Sequence, residues 1–414
     1  MGVNVFLFTF LCEASKHVLM AGWFNCAGEV HKKLGISSEK LGMIDMSFLI
    51  CYAVGNFIFG ILGDMYHQKK VLCICSLIAG GIFSTIILLS YFQIMTFALF
   101  TVLFAVFGLF LSSIWPMVVS IMGQEYPHAV RGKVIGLWSV NSAIGDIIGY
   151  FISSLLLHLF SSWILVLSIV ILQFFVIILC TFFFMKSHDS PLSKPNISIL
   201  DALKTPTVFS YCICYACVKL LHMAILIWIP YYLEVELAIN IQIEGVLMIL
   251  YSIGGVFGSV VSGHLSDKVA DRSFVLMFML IGAFPIIILL SFVLGTSNII
   301  SCIVCFVTGI LIGGGSSLLC AVVAADMGDL NTTYEAKSIF TGFVNAFGSI
   351  GASLGQYIIG LLQGYSWGVF GVMLVTNALG IGNLAPVVYR AYKKRSYREF
   401  NKEGSVGGNL DNKK

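Results

Sequence analysis

Twelve apolar runs, each long enough to cross a bilayer, constrain this chain more than any other feature. A spanning helix needs about 20 predominantly apolar residues. Such runs cover 5–26, 41–63, 71–90, 94–122, 134–158, 163–185, 207–233, 243–265, 273–294, 297–325, 338–363 and 366–389. Inside hydrocarbon a lone run must satisfy its own backbone N–H and C=O groups, so each is read as a helix. Charge agrees with this. A soluble domain carries about 25% charged residues, whereas only 10% of these 414 are charged and 58% are hydrophobic. A cytosolic enzyme, a disordered chain and a secreted disulfide scaffold are thereby excluded. A formal net charge of +3 is too small to suggest a nucleic-acid partner. The expectation is an all-α membrane protein of twelve transmembrane helices, with the lipid bilayer as its surroundings.

The first run is read as a span and not as a signal peptide, because no basic stretch precedes it and Glu13 and Lys16 interrupt it. The start MGVNVF lacks the Ser or Thr at position 6 that myristoylation prefers. The 12 Cys sit singly in apolar runs. Cys73/Cys75 and Cys212/Cys214 are CxC spacings without a His or a further Cys pair at zinc spacing. They are read as small buried hydrophobes, and no metal or cofactor is expected.

Lysine and arginine set the orientation. Lys16 and Lys219 lie inside runs, and the loops after odd-numbered runs hold only Lys32, Lys33 and Lys40. All the others fall at the termini or in loops after even-numbered runs, which by the positive-inside rule places both termini in the cytosol. The sequons at Asn196 and Asn331 then face the cytosol and are expected to carry no glycan. The polar stretch 186–205 is the one long linker, and it divides an N-terminal bundle, 1–185, from a C-terminal bundle, 206–390; a basic cytosolic tail, 391–414, follows.

The two bundles are a repeat. GILGD at 60–64 ends the second run and GHLSD at 263–267 ends the eighth; both read GxLxD, 203 residues apart. The same offset carries Lys16 onto Lys219. Gly136, Gly145 and Gly149 recur as Gly342, Gly351 and Gly355. Two six-helix halves of like polarity are related by an axis along the membrane normal, the transporter architecture of the major facilitator type. Asp64 and Asp267, at helix ends, are read as a conformational latch able to pair with basic neighbours or cap a helix.

Ionisable groups at membrane depth are costly, about 2.5–3.5 kcal/mol each on insertion scales, and so are functional candidates. Glu13, Lys16, Lys219 and Asp146 stand there, with His17 and His222 beside the lysines. Glu13 and Lys16 are i,i+3 neighbours. Tyr215, Lys219 and His222 share one face at i, i+4, i+7, and Ser139, Ser142, Asp146 and Tyr150 form a stripe, as do Asn345, Ser349, Ser353 and Gln356. In one reading Lys16 and Lys219 clamp an anion between the halves, a phosphate ester or inorganic phosphate, with His222, Tyr215, His17 and Asn345 as further binding residues. Glu13 and Asp146 then balance charge or carry a proton. In the plainer reading Lys16 pairs with Glu13, and Lys219 snorkels or pairs with Asp146. The GGGSS at 313–317 lies mid-run with no lysine after it and is assigned to helix packing.

Several motifs together resemble one family. CYAVG at 51–55 with GILGD at 60–64, Trp115-Pro116, Arg131-Gly132, GLW at 136–138, YACVKL at 215–220, Trp228 to Pro230, Ala325-Asp326, GSIG at 348–351 and Gly355 to Tyr357 look like the sugar-phosphate exchangers of the organophosphate:phosphate antiporter group. That group includes the eukaryotic glucose-6-phosphate transporter. The resemblance implies exchange of a phosphorylated sugar or glycerol for inorganic phosphate by rocking of the two halves. It also implies a basic residue at His222, where better-known members carry one, and a lysine at Lys219, as in other eukaryotic branches. The family's helix-1 motif is usually Arg-Lys, and Lys16-His17 stands in its place here; lysine is a point charge without the bidentate fork of arginine. Three functions remain open at this point: phosphate-linked antiport, a proton-coupled carrier of another small solute, and a transport-dead sensor or partner subunit. No enzyme motif is present. The terminal lysine pair gives an endomembrane such as the endoplasmic reticulum a slight preference over the plasma membrane, and oligomeric state is left open.

Overall fold

The computed structural model describes residues 2–126, 134, 137–138, 140–186, 206–268, 272–319, 336–362, 365 and 367–407. The side chains of 61, 63–65, 123–124, 206–208, 267–268, 336–343 and 394–407 lie outside the description. So do Arg131, Gly132, Gly136, Ser139, Ala325, Asp326, both sequons, most of the linker and the latch carboxylates of Asp64 and Asp267.

The described chain is helical throughout. Its helices are α1 (Gly2–Leu34), α2 (Ser38–Met65), α3 (Gln68–Tyr91), α4 (Phe97–Met122), α5 (Asn141–Phe160), α6 (Trp163–Phe184), α7 (Pro206–Tyr231), α8 (Ile241–Lys268), α9 (Arg272–Val293), α10 (Asn298–Leu319), α11 (Ala336–Leu362) and α12 (Gly368–Gly407). Each expected run has its helix. Eleven are long and apolar enough to cross a membrane among the described residues, and α11 stands where the eleventh run was expected. Polar N-caps start several of them: Ser37, Thr96 and Ser162 accept from the backbone N–H three residues on, satisfying an otherwise orphaned donor.

Three departures from the sequence expectation have local causes. The helix α1 continues eight residues past Cys26 to Leu34 and turns at Gly35, whose φ of +63° a glycine adopts without strain. Within α4 the helix breaks at Ser112–Ser113, where Pro116 has no N–H to give the Ser112 carbonyl. Beyond the membrane run, α12 continues to Gly407, through much of what reads in sequence as a polar tail.

Packing repeats contact by contact between the halves. Gly145 and Gly149 of α5 let its backbone lie against Ala14, Val18 and Ala21 of α1; Gly351 and Gly355 of α11 do the same against Ala216 and Leu220 of α7. Between α2 and α4, Gly108 meets the Phe48 carbonyl and Gly55 that of Leu109. Between α8 and α10, Gly309 meets the Tyr251 carbonyl and Gly258 that of Ile310. These pairings lie about 200 residues apart, the offset at which GxLxD recurs, and small residues permit such close backbone approach. The GGGSS segment belongs to this seam, since Gly313 and Gly314 face Gly255 and Gly258. Across the pseudo-two-fold axis the halves meet through α2 with α11, α5 with α8 and α1 with α7.

The described cysteines are buried or half-buried, and none of them is in a disulfide.

Candidate functional site

Mid-helix on α1 the ionisable groups form a chain. The Lys16 ammonium donates to the Glu13 carboxylate one turn below and reaches the Tyr52 hydroxyl of α2 at 3.5 Å. His17 lies between two carboxylates, with Nδ1 3.0 Å from Asp146 Oδ1 on α5 and Nε2 3.6 Å from Glu13 Oε1. Glu13 is 1% and Lys16 6% exposed. Buried charges at this depth persist only when paired, and the order Lys16–Glu13–His17–Asp146 pairs them all.

On α7 the partners are different. Lys219 donates to Asn345 Oδ1 at 2.7 Å and to Ser349 Oγ at 2.8 Å, both on α11. Its ammonium also lies 5.7 Å from the Tyr215 ring centroid, within cation–π range. Gly348 opens the space for both side chains, for a Cβ there would meet the Tyr215 ring and the Lys219 stem. Charge-assisted bonds of this kind are worth about 1.5–3 kcal/mol each. His222 turns toward α8, with Nδ1 2.6 Å from the Tyr251 hydroxyl.

The structure thus brings Tyr215, Lys219 and Asn345 together, and Glu13, Lys16, His17 and Asp146 together. It does not place Asp146 on Lys219; among the described contacts Asp146 accepts from His17 instead. Tyr52, Tyr251 and the direct Ser349 bond are additions that sequence reasoning missed. Ser349 sits on the stripe already noted, but Tyr52 and Tyr251 lie on α2 and α8, where nothing in the pattern distinguishes them from core aromatics.

A second polar layer joins the halves at the end that carries the α1–α2 turn. Lys32 donates to Glu234 Oε1 at 2.9 Å, and Glu234 packs on Gly28. The His31 ring meets Tyr231 edge-on. Gly42 of α2 lies against the Gln356 carbonyl and Gly360 of α11. Deeper, Pro230 leaves the Leu226 carbonyl without its i+4 donor, and the Tyr150 hydroxyl from the other half fills that place at 2.8 Å.

The sequence profile of the Major Facilitator Superfamily matches residues 17–356. The chain belongs to that superfamily and, within it, to the sugar-phosphate exchangers. Human sugar phosphate exchanger 3 is 31% identical over 86% of this chain and 82% of its own length. The Bos taurus glucose-6-phosphate exchanger SLC37A2 is 28% identical over 87% and 85%. In structure, a bacterial homologue of the human lysosomal transporter Spinster superposes with a TM-score of 0.71 at 15% identity, covering 93% of this chain and 95% of that one. That likeness establishes the fold. As a major facilitator protein the chain is a transporter and not an enzyme, and the paired halves described above are its two bundles.

Proposed function

We propose that the protein exchanges an organic phosphate, foremost a sugar phosphate, for inorganic phosphate by alternating access. The observation that carries this reading is the placement of Lys16 and Lys219 at matching registers of α1 and α7, each buried and each with donors beside it. Tyr52 accompanies the first; Asn345, Ser349 and, one turn on, His222 accompany the second. Two ammonium groups with neutral donors suit a dianion, which a phosphate ester is near neutral pH. The activities named for the relatives support it. Counting lysine and arginine puts both termini in the cytosol, so the end at which the halves are joined faces away from the cytosol. An endomembrane, the endoplasmic reticulum before the plasma membrane, is the location this reading favours.

The test is counterflow in proteoliposomes preloaded with inorganic phosphate, with labelled phosphate outside. Saturable exchange, competed by glucose 6-phosphate or glycerol 3-phosphate, is expected. Lys219→Ala should weaken it at least about tenfold, the equivalent of one charge-assisted bond. Folded protein that exchanges no phosphate overturns the proposal. A second reading, a proton-coupled carrier, has its own support: Glu13 Oε2 is buried without a partner among the described residues, beside His17 and Asp146. Proton-driven uptake of a neutral solute by the same vesicles would favour it.

A further inference from the structure

Away from the lysines, Glu244 is a buried acidic side chain that nothing described above uses. Glu244 lies in the first turn of α8, is 0% exposed, and sits at the seam between the halves. Asn25 of α1 faces it. In the amide orientation that satisfies both of its ends, the Asn25 nitrogen donates to Glu244 Oε1 at 2.9 Å while its oxygen accepts from the Ser153 and Ser154 hydroxyls, each at 3.0 Å, and from the Ser154 N–H at 3.2 Å. Asn25 is therefore held by α5 of its own half and reaches across to α8 of the other. Gly245, next to Glu244, packs directly on Ser154, so the seam is tight. Glu244 Oε2 is buried with no hydrogen-bond partner among the described residues.

The charges around it do not compensate a carboxylate. Lys32 is the neighbouring cation, and Glu234 already holds its ammonium at 2.9 Å. Glu234 and Glu29 are themselves acidic, Glu29 lying 3.8 Å from Lys33. The other titratable neighbours, Cys26 on α1, Tyr150 on α5 and His31 beside Glu234, bring no cation to Glu244 itself. The N-terminal dipole of α8 favours an anion, but only as a fractional charge. One neutral amide and a helix end are too little to hold a fully desolvated carboxylate.

We propose that Glu244 is a proton-binding site of the inter-half seam, occupied by a proton while this end is joined and emptied to water when it opens. The step is a simple protonation, with bulk water on the α1–α2 side as proton source and sink. When the halves part here, Asn25 leaves with α5 and Glu244 moves with α8 into solvent, where the ionised form is well hydrated. Closure then takes up one proton from that side. The joined state binds more protons than the open one, so acid on that side stabilises it and its population falls as pH rises. If the exchanger reading holds, one proton accompanies each closure and phosphate exchange acquires a pH dependence on this side of the membrane.

The proposal rests on the alternating-access reading, but its test reads the conformation and not transport. Hydrogen–deuterium exchange of the full chain in nanodiscs, corrected for intrinsic chemistry, would follow the segments around Asn25 and Glu244 with and without acid. A single linked proton predicts protection that falls by up to about 100-fold between about pH 6 and about pH 8. Glu244→Gln, which mimics the protonated acid, should stay protected at both. Wild-type protection that is the same at both pH values overturns the site without recourse to any variant. So does a Glu244→Gln protein that still titrates. Absence of phosphate exchange in vesicles would leave this result standing and would count only against the exchanger reading.

Discussion

In the proposed anion site, Glu13 decides how much positive charge is presented. Its carboxylate and the Lys16 ammonium cancel, and an anion entering the site must compete with Glu13 for that ammonium. Removing one member of a buried pair strands the other, at a cost of about 3–5 kcal/mol. Glu13→Gln should therefore destabilise the empty protein and also release Lys16 to a ligand. Binding to the native state raises thermal stability by an amount that grows with the logarithm of affinity, so inorganic phosphate should raise the melting temperature of Glu13→Gln more than that of the wild type. An equal rise in both would show that Glu13 does not compete with the substrate. This pair was legible in sequence, because two residues three apart on a helix must be neighbours. The partners of Lys219 were half legible: Asn345 and Ser349 stand four apart on one face, but which helix that face meets depends on tertiary packing. Tyr251, the partner of His222, carried no signal at all, since an aromatic on a buried helix reads as core.

At the scale of the helix, small residues set how closely two axes approach. The repeat of GxLxD and of the glycine triads made the duplication readable, and the structure adds what the glycines touch. A Cβ at Gly351 would stand 2.5 Å from the Ala216 Cβ and 2.9 Å from its Cα, inside one half and with no free direction of relief. Overpacking a fixed seam costs about 1–3 kcal/mol, and Gly351→Leu adds far more than one methylene. We expect Gly351→Leu to lower thermal stability in detergent and to spread apart α7 and α11, with loss of the Lys219 bonds to Asn345 and Ser349. Unchanged thermal stability would mean that this seam is softer than its contacts indicate. Helix ends were less readable than helix existence. The expectation of a basic tail after residue 390 said nothing of its secondary structure, and α12 runs on to Gly407; a charged helix carries no apolar period beyond the membrane.

Across the whole molecule the same substitution has a different meaning, because a contact between halves is made in one state and absent in the other. Gly42 of α2 and Gly360 of α11 approach so closely that a Cβ on Gly42 would lie 2.7 Å from the Gln356 carbonyl and 3.3 Å from the Gly360 Cα. Nothing within either bundle depends on that contact, whereas joining the halves at the α1–α2 end does. Gly42→Leu should thus leave each bundle folded and exclude the joined state, since a ligand-free two-state protein shifts wholly when one state is penalised by several kcal/mol. Thermal stability should change far less than in Gly351→Leu. Solvent protection of the segments around Gly28, Gly42 and Glu234 should fall, and exchange across the membrane should stop because one half of the cycle is missing. Wild-type protection with normal exchange would show that the halves do not separate at this end, and rocking about the central lysines would have to be replaced by a smaller, local gate.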